Sequence, residues 1–363
     1  MEAEIEGLIR NIRPLDREAM HRAEERQAKL AKPPGSLGKL EDISVQLAGI
    51  TGELRNQIRR RRILVLCADN GVVEEGVSSA PQSVTAAQAV NMTRGLTGMS
   101  SMAKFFGCEV VVADVGIACP YHCPGIVNLR VMPGTRNLAR EPAMTRDQAV
   151  RALLAGAGLA ARAAEDGVSV IGVGEMGIGN TTTSAAVLSA LTGAAAAAVT
   201  GRGGGITDEA FDRKKRLIDD AIARHRPDAR DPVDVLSKVG GLDLAAMCGV
   251  FLGAAAHRLP AVIDGFISVV AALCAVRLCP ETRGYLFASH ASYEKGYALA
   301  ISELALSPWL ALDMRLGEGS GCPIAFEVMA AACAVMNDMA TFEQASINDG
   351  YLDEIREKDS FSV

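Results

Sequence analysis

Aromatic residues make up only 4% of this 363-residue chain, too few for the stacking platforms that bind single-stranded nucleic acid. Positive charge is also short. The 37 Lys and Arg are outnumbered by 43 Asp and Glu, for a net charge of -6, so no basic face is implied and nucleic acid is not an expected partner. No stretch offers roughly 20 strongly apolar, uncharged residues. Residues 184–200 come near but are interrupted by Ser, Thr and Gly, and residues 261–278 contain Asp264 and Arg277. Both read as buried elements of a soluble protein, not as membrane spans. The acidic start, Met1-Glu2-Ala3-Glu4-Ile5-Glu6, lacks the basic and apolar regions of a signal peptide, and the expectation is a cytoplasmic protein. Four of the nine cysteines, Cys67, Cys248, Cys274 and Cys333, lie in apolar runs, where a reduced thiol behaves as a small core residue. The one cluster, Cys119-Pro120-Tyr121-His122-Cys123, could begin a metal site. No second ligand pair follows at finger-like spacing, so it reads as a loop, and no metal is expected.

What is abundant is apolar: 49% of the chain, enough for one large α/β domain or two domains. Residues 3–30 carry apolar positions at helical spacing and break at Pro14. The segment Lys32-Pro33-Pro34-Gly35-Ser36-Leu37-Gly38 is too rich in turn formers for regular structure. A helix follows from about Leu40 to Gln57, and Arg59 to Arg62 read as its solvated end. Thereafter β-prone runs alternate with helical stretches. The runs are 63–68, 109–116, 126–131, 168–175, 260–265 and 285–290. The helices lie at about 83–106, 145–166, beyond 180, beyond 205, beyond 241 and at 324–339. This alternation predicts a parallel, Rossmann-like sheet flanked by helices. Residues 60–325 are expected to form that large domain. Residues 1–59 and 326–363 fall outside the alternation and are expected to form a small helical subdomain, with a polar tail that frays or packs loosely.

Most strands end in Asp, Glu, Ser or His beside Gly, which loads one rim of the sheet with polar groups. In open α/β sheets that rim is where ligands bind. Asp69-Asn70-Gly71, Asp114-Val115-Gly116, Asp264-Gly265 and Ser289-His290 are such ends. The run Gly172-Val173-Gly174-Glu175-Met176-Gly177-Ile178-Gly179-Asn180 leads from a strand through a glycine turn into a helix, an arrangement that presents backbone N–H groups to phosphate. It is neither a P-loop nor a dinucleotide fingerprint, because the spacing is wrong for both. A second glycine cluster, Gly201 to Gly205, precedes a helix bearing Lys214 and Lys215. Two such loops and a lysine suit one phosphoryl group, although the lysines taken alone read as a solvated face. Late in the chain stands Arg315-Leu316-Gly317-Glu318-Gly319-Ser320-Gly321. Its single carboxylate is either a residue beside a helix N-terminus or a positioned base, and the local pattern favours the former.

Taken in order, these motifs resemble the nicotinate-nucleotide–dimethylbenzimidazole phosphoribosyltransferase family over nearly the whole chain. They include Lys32 to Gly38, Asp69 to Val72, Asn91 to Gly95, Gly172 to Gly177, Asn180 to Thr182, Val239 to Gly241, Asp264 to Phe266, Ser289-His290 and Arg315 to Gly321. The resemblance implies attack by a benzimidazole on C1′ of nicotinate mononucleotide, release of nicotinate, and an α-linked ribazole 5′-phosphate. A pyridinium leaving group is neutralised as it departs, so no metal-held pyrophosphate is needed. The sequence lacks the paired-Asp motif of phosphoribosyl-pyrophosphate enzymes, and no cofactor is expected. The chemistry needs a base for the benzimidazole N–H, and burial of a carboxylate serves that role.

The resemblance assigns that base to Glu318 and a second carboxylate near the reacting centre to Glu175. It places the aromatic acceptor among Ala80, Val84, Gln88, Met176 and Leu316. It sets the nucleotide's phosphate and ribose against Gly177, Gly203, Gly204 and Gly205, with Lys214 as the matching cation. Asp264, Ser289 and His290 would line the same cleft. A homodimer is also implied. Asn70 departs from the His common in the family, and Ala80 departs from a common Ser. The rival readings are a relative specialised for a phenolic or purine acceptor, and a catalytically silent nucleotide-binding partner subunit.

Overall fold

The structure is a computed structural model, and it describes residues 2–353. Its centre is a six-stranded sheet in which every pairing is parallel. The strands are β1 (Arg61–Ala68), β2 (Glu109–Gly116), β3 (Ile126–Asn128), β4 (Val170–Met176), β5 (Ala261–Ile263) and β6 (Leu286–Ala288), in the order β3-β2-β1-β4-β5-β6. That is the doubly wound order, with a switch point between β1 and β4, where the chain reverses the side on which it adds strands. β1 and β4 are buried along nearly their whole length, as strands covered on both faces must be.

The described residues also form helices. They are α1 (Glu2–Asn11), α2 (Arg17–Lys29), α3 (Lys39–Thr51), α4 (Ser83–Thr93), α5 (Gly98–Phe105), α6 (Arg146–Glu165) and α7 (Asn180–Thr192), then α8 (Ala196–Val199), α9 (Asp208–His225), α10 (Pro232–Val239), α11 (Leu242–Ala256), α12 (Phe266–Leu278), α13 (Tyr297–Glu303) and α14 (Cys322–Asp338). The stretch 83–106, expected as one helix, is two. The chain breaks at Arg94–Thr97, where Gly95 takes φ +73°. Thr97 then starts α5 with a capping box to Ser100, satisfying two N–H groups that a helix start leaves open. This break matters because it turns a fresh helix N-terminus toward the rim of the sheet. α6 starts the same way, on Thr145 and Gln148.

The small residues of α6 and α11 let these helices pack backbone to backbone. A Cβ on Gly156 or Gly249 would lie 1.8 Å from a carbonyl oxygen of the facing helix. The stretch 184–200 becomes α7 and α8, and 261–278 becomes β5 and α12. No helix of the described residues is long and apolar enough to cross a membrane.

The chain divides into two compact units, 1–13 with 60–325, and 14–59 with 326–363. The first helix, expected in the small subdomain, belongs instead to the large unit. Its Ile5 is buried, and it packs on α6 and α11. Pro14 marks the change of unit. In the smaller unit, Ala23, Ala48 and Met336 form a core with Val45 and Leu54. There Lys32 is buried and pairs with Glu41 at 2.7 Å, which anchors the Pro-Pro-Gly turn. The boundary on the C-terminal side falls inside α14, after Ala325. Residues 354–363 of the expected tail lie outside the described residues.

The arginine run also differs from expectation. Arg62 is a buried residue of β1 and pairs with Glu109 and Asp166, both at 2.7 Å. It ties the start of β1 to its neighbours rather than ending a helix in solvent.

Candidate active site

At the carboxyl ends of β4, β5 and β6 lies a cleft of about 320 Å³, the size of a small-ligand site. It is lined by Val84 and Gln88 from α4, Glu175, Met176 and Gly177 from the end of β4, Gly203 and Gly204, Asp264, His290, and Leu316 to Glu318. Eleven expected site residues thus come together on one cleft. Four do not line it. Ala80 and Gly205 face a smaller adjoining cavity of about 180 Å³, which shares Gly177, Asn180, Thr181 and Gly204 with the cleft. Ala80, expected in the wall around the aromatic acceptor, sits in the turn before α4, on the glycine-loop side. Lys214 and Ser289 are buried behind the lining, 1% and 0% exposed.

Glu318 stands in a constrained loop. Gly317, Glu318 and Gly319 all have positive φ, +81°, +64° and +88°. A non-glycine residue there costs on the order of 1–2 kcal/mol, so its surroundings must hold it. They do so from below. The Glu318 N–H donates to Glu175 Oε1 at 3.2 Å. The N–H groups of Gly319 and Gly321 donate to the two Asp264 oxygens at 3.0 and 2.7 Å. Gly174 lets this loop lie directly on β4, because a Cβ there would be 2.4 Å from the Glu318 carbonyl oxygen. Glu318 is 5% exposed, and its carboxylate accepts from the Met99 N–H at 3.2 Å. It therefore sits at a helix N-terminus, but that of α5 rather than its own, a favourable place for negative charge. The two readings of Glu318 are compatible: one carboxylate both caps a helix and faces the cleft.

The carboxyls beneath it are not in their ordinary states. Burial pushes Glu175 up to about 8, and Asp243 nearby adds to the rise. Burial likewise pushes Asp264 up to about 7, against the N–H groups that favour its charged form. Asp243, at the start of α11, is raised to about 6 by burial. Asn180 at the start of α7 donates to Glu175 Oε2, and its amide also favours the charged form of Asp243. At neutral pH this set holds protons, and close carboxyls that share protons avoid mutual repulsion.

His290 is buried and its pKa is lowered by burial. Its Nδ1 lies 3.8 Å from Asp264, but a neutral ring makes this a polar contact, not an ion pair. Ser289 shares a hydrogen bond with His290 Nδ1 at 3.1 Å and donates to the Asp264 carbonyl. These two residues brace Asp264. Gly321 leaves them room, since a Cβ there would be 2.3 Å from the imidazole.

The other end of the cleft is built for an anion. Lys214 Nζ donates to Thr181 Oγ1 at 2.9 Å and to the Gly201 carbonyl at 3.1 Å. Burial lowers its pKa to about 8, so it is largely charged at neutral pH. It lies under the glycine loop, not on a solvated helix face. A Cβ on Gly204 or Gly205 would meet nothing within 4 Å, so the loop backbone is open to a ligand. Several participants do not stand out in the sequence. Asp243 sits next to motif residues that do. Glu294 and Ser292 line the cleft but carry no local signal. The Met99 amide meets Glu318 from 219 positions away. Cys119 and Cys123 carry free thiols, and no group of three metal-ligating side chains occurs among the described residues.

A family model described as phosphoribosyltransferase matches residues 12–347. A protein of Clostridium perfringens, nicotinate-nucleotide–dimethylbenzimidazole phosphoribosyltransferase, is 50% identical over 356 residues, 98% of this chain and 99% of its own. One of the same name from Ruminiclostridium cellulolyticum is 47% identical over 342 residues, 94% of this chain and 97% of its own. The crystal structure of the enzyme of that name from Thermus thermophilus superposes with a TM-score of 0.87 at 40% identity, covering 93% of this chain and all of that one. Likeness of this extent, over both fold and sequence, means that the chain belongs to the nicotinate-nucleotide–dimethylbenzimidazole phosphoribosyltransferase family.

Proposed function

We propose that the protein transfers the 5-phosphoribosyl group of nicotinate mononucleotide to 5,6-dimethylbenzimidazole or a related base, yielding α-ribazole 5′-phosphate and nicotinate. The observation that carries this reading is the cleft itself. One cavity joins a held carboxylate, Glu318, to an open glycine loop backed by a buried lysine.

The 5′-phosphate lies against Gly177 and Gly203 to Gly205, over Lys214, where backbone N–H groups and one cation meet it. The acceptor lies between Val84, Gln88, Met176 and Leu316, with its N–H toward Glu318. The second ring nitrogen attacks C1′, and its lone pair becomes the new C1′–N bond. The old C1′–N bond breaks, and its electrons return to the pyridinium nitrogen, so nicotinate leaves without that positive charge. The benzimidazole N–H proton passes to Glu318, which neutralises the new nucleoside's ring. Glu175 stays largely neutral beneath it, so a second negative charge does not oppose the base. Two neighbouring carboxyls held in different environments can thus take different roles.

A homodimer in the cytoplasm goes with this reading. Leu96 and Phe105, 67% and 81% exposed, offer apolar surface beside α5, and nine free thiols suit a reducing compartment. The test is incubation with nicotinate mononucleotide and 5,6-dimethylbenzimidazole, with the product identified by mass and by NMR of its anomeric proton. An α-linked ribazole phosphate is expected. Product from a phenol but not from the benzimidazole would remove the acceptor assignment, and no product from any base would remove the catalytic one.

A further inference from the structure

Glu294 lines the cleft beside Gly203 and Gly204, yet the transfer chemistry assigns it no task. Its carboxylate lies against the glycine loop. A Cβ on Gly201 would be 1.9 Å from Glu294 Oε2, so only glycine leaves room for it there. Burial raises its pKa, while the positive charges of Lys214 and Arg315 and the Gly203 N–H favour its charged form. Lys214 approaches the same loop from behind, through the Gly201 carbonyl. An anion is therefore already seated where open backbone N–H groups and a buried cation would attract one. A phosphate cannot share that position with a carboxylate, because like charges a few ångströms apart repel strongly where water is scarce.

We infer that Glu294 is the built-in occupant of the glycine loop, and that its carboxylate gives way to the 5′-phosphate when the nucleotide binds. The inference rests on the proposed phosphate position over Lys214. Displacement has a ready destination. Arg315 lines the same cleft, is exposed and stacks over the Tyr293 ring at 5.6 Å. It stands three residues before Glu318, on the same loop. Its removal makes phosphate binding easier by whatever its displacement costs.

The experiment measures inorganic phosphate binding by titration calorimetry, and steady-state kinetics, on the full chain and on Glu294→Gln. The amide keeps the shape and removes the charge. Phosphate should bind about tenfold more tightly to the variant, and KM for nicotinate mononucleotide should fall by a similar factor, with kcat within about threefold. Unchanged or weaker phosphate binding would overturn the inference. So would weaker nucleotide binding with phosphate unaffected, which would make Glu294 an acceptor for ribose hydroxyls. A crystal of the unaltered protein soaked in phosphate decides the matter without the variant. Glu294 should leave its place against Gly201, whereas phosphate bound over Lys214 with Glu294 still in place would overturn the exchange. The underlying reaction fails separately. If phosphate displaces Glu294 but no ribazole phosphate forms from the two substrates, the occupant stands and the assigned reaction does not.

Discussion

Replacing Glu175 by Gln tests the electrostatics under the cleft quantitatively. The Glu175 carboxyl lies at about 8 against an ordinary 4.5. Between those values the folded protein keeps a proton that the unfolded chain has released. Raising the pH through that window therefore favours the unfolded state, and stability is lost as pH rises from about 4.5 to about 8. Each pH unit is worth about 1.4 kcal/mol at most. Asp243 and Asp264 titrate in the same cluster, and sharing among coupled groups brings the Glu175 share down to about 2–4 kcal/mol. Glutamine cannot titrate. Its oxygen can accept from the Glu318 N–H, and its amide can face Asn180 once that side chain flips. Urea unfolding followed by circular dichroism at pH 5, 6.5 and 8.5 gives the difference between the two proteins directly. The difference should move in favour of the Gln variant by about 2–4 kcal/mol from pH 5 to pH 8.5. Parallel curves would refute a raised Glu175 and the division of roles built on it.

Other outcomes follow from the same geometry. Gly177→Ala would place its Cβ 2.1 Å from the Ala68 carbonyl oxygen, and the forced backbone shift should lower stability by about 1–3 kcal/mol and raise KM for the nucleotide. Lys214→Met removes the cation under the loop, so KM for nicotinate mononucleotide should rise by about tenfold or more, with a smaller change in kcat. In the unaltered protein that KM should rise as pH passes about 8, because the lysine then loses its charge; a KM flat from pH 7 to 9.5 would count against it. Asp264→Asn sets an amide against one of the N–H groups of Gly319 and Gly321. The loosened Glu318 loop should lose kcat more than nucleotide affinity, and a selective rise in KM would contradict this.

The strands and their polar ends were legible because a buried parallel strand is a continuous β-prone run, and its end is punctuated by Gly and Asp. Strand order was not, since nothing in the 63–68 run says that β2 lies on one side and β4 on the other. The break between α4 and α5 had signals, Gly95 and the Thr97–Ser100 pair, but a longer helical period masked them. The N-terminal helix read as part of the small unit because it falls outside the strand–helix alternation; its burial of Ile5 and its packing on α6 and α11 are tertiary facts. Within the site, Glu318 and the glycine loops announce themselves by composition. Glu294 and the Met99 amide do not, since each matters only through a group brought close by folding. Ala80 shows the converse, a position near Gln88 in sequence that lines the adjoining cavity instead.

The account depends most on Glu318 as the proton acceptor. Its most direct test is single-turnover product formation by Glu318→Gln, with nicotinate mononucleotide binding measured on the same preparation. Turnover should fall about 10²-fold or more, with nucleotide affinity within a few-fold of the parent. A variant that binds the nucleotide and still forms the ribazole phosphate at the parent rate would contradict the account.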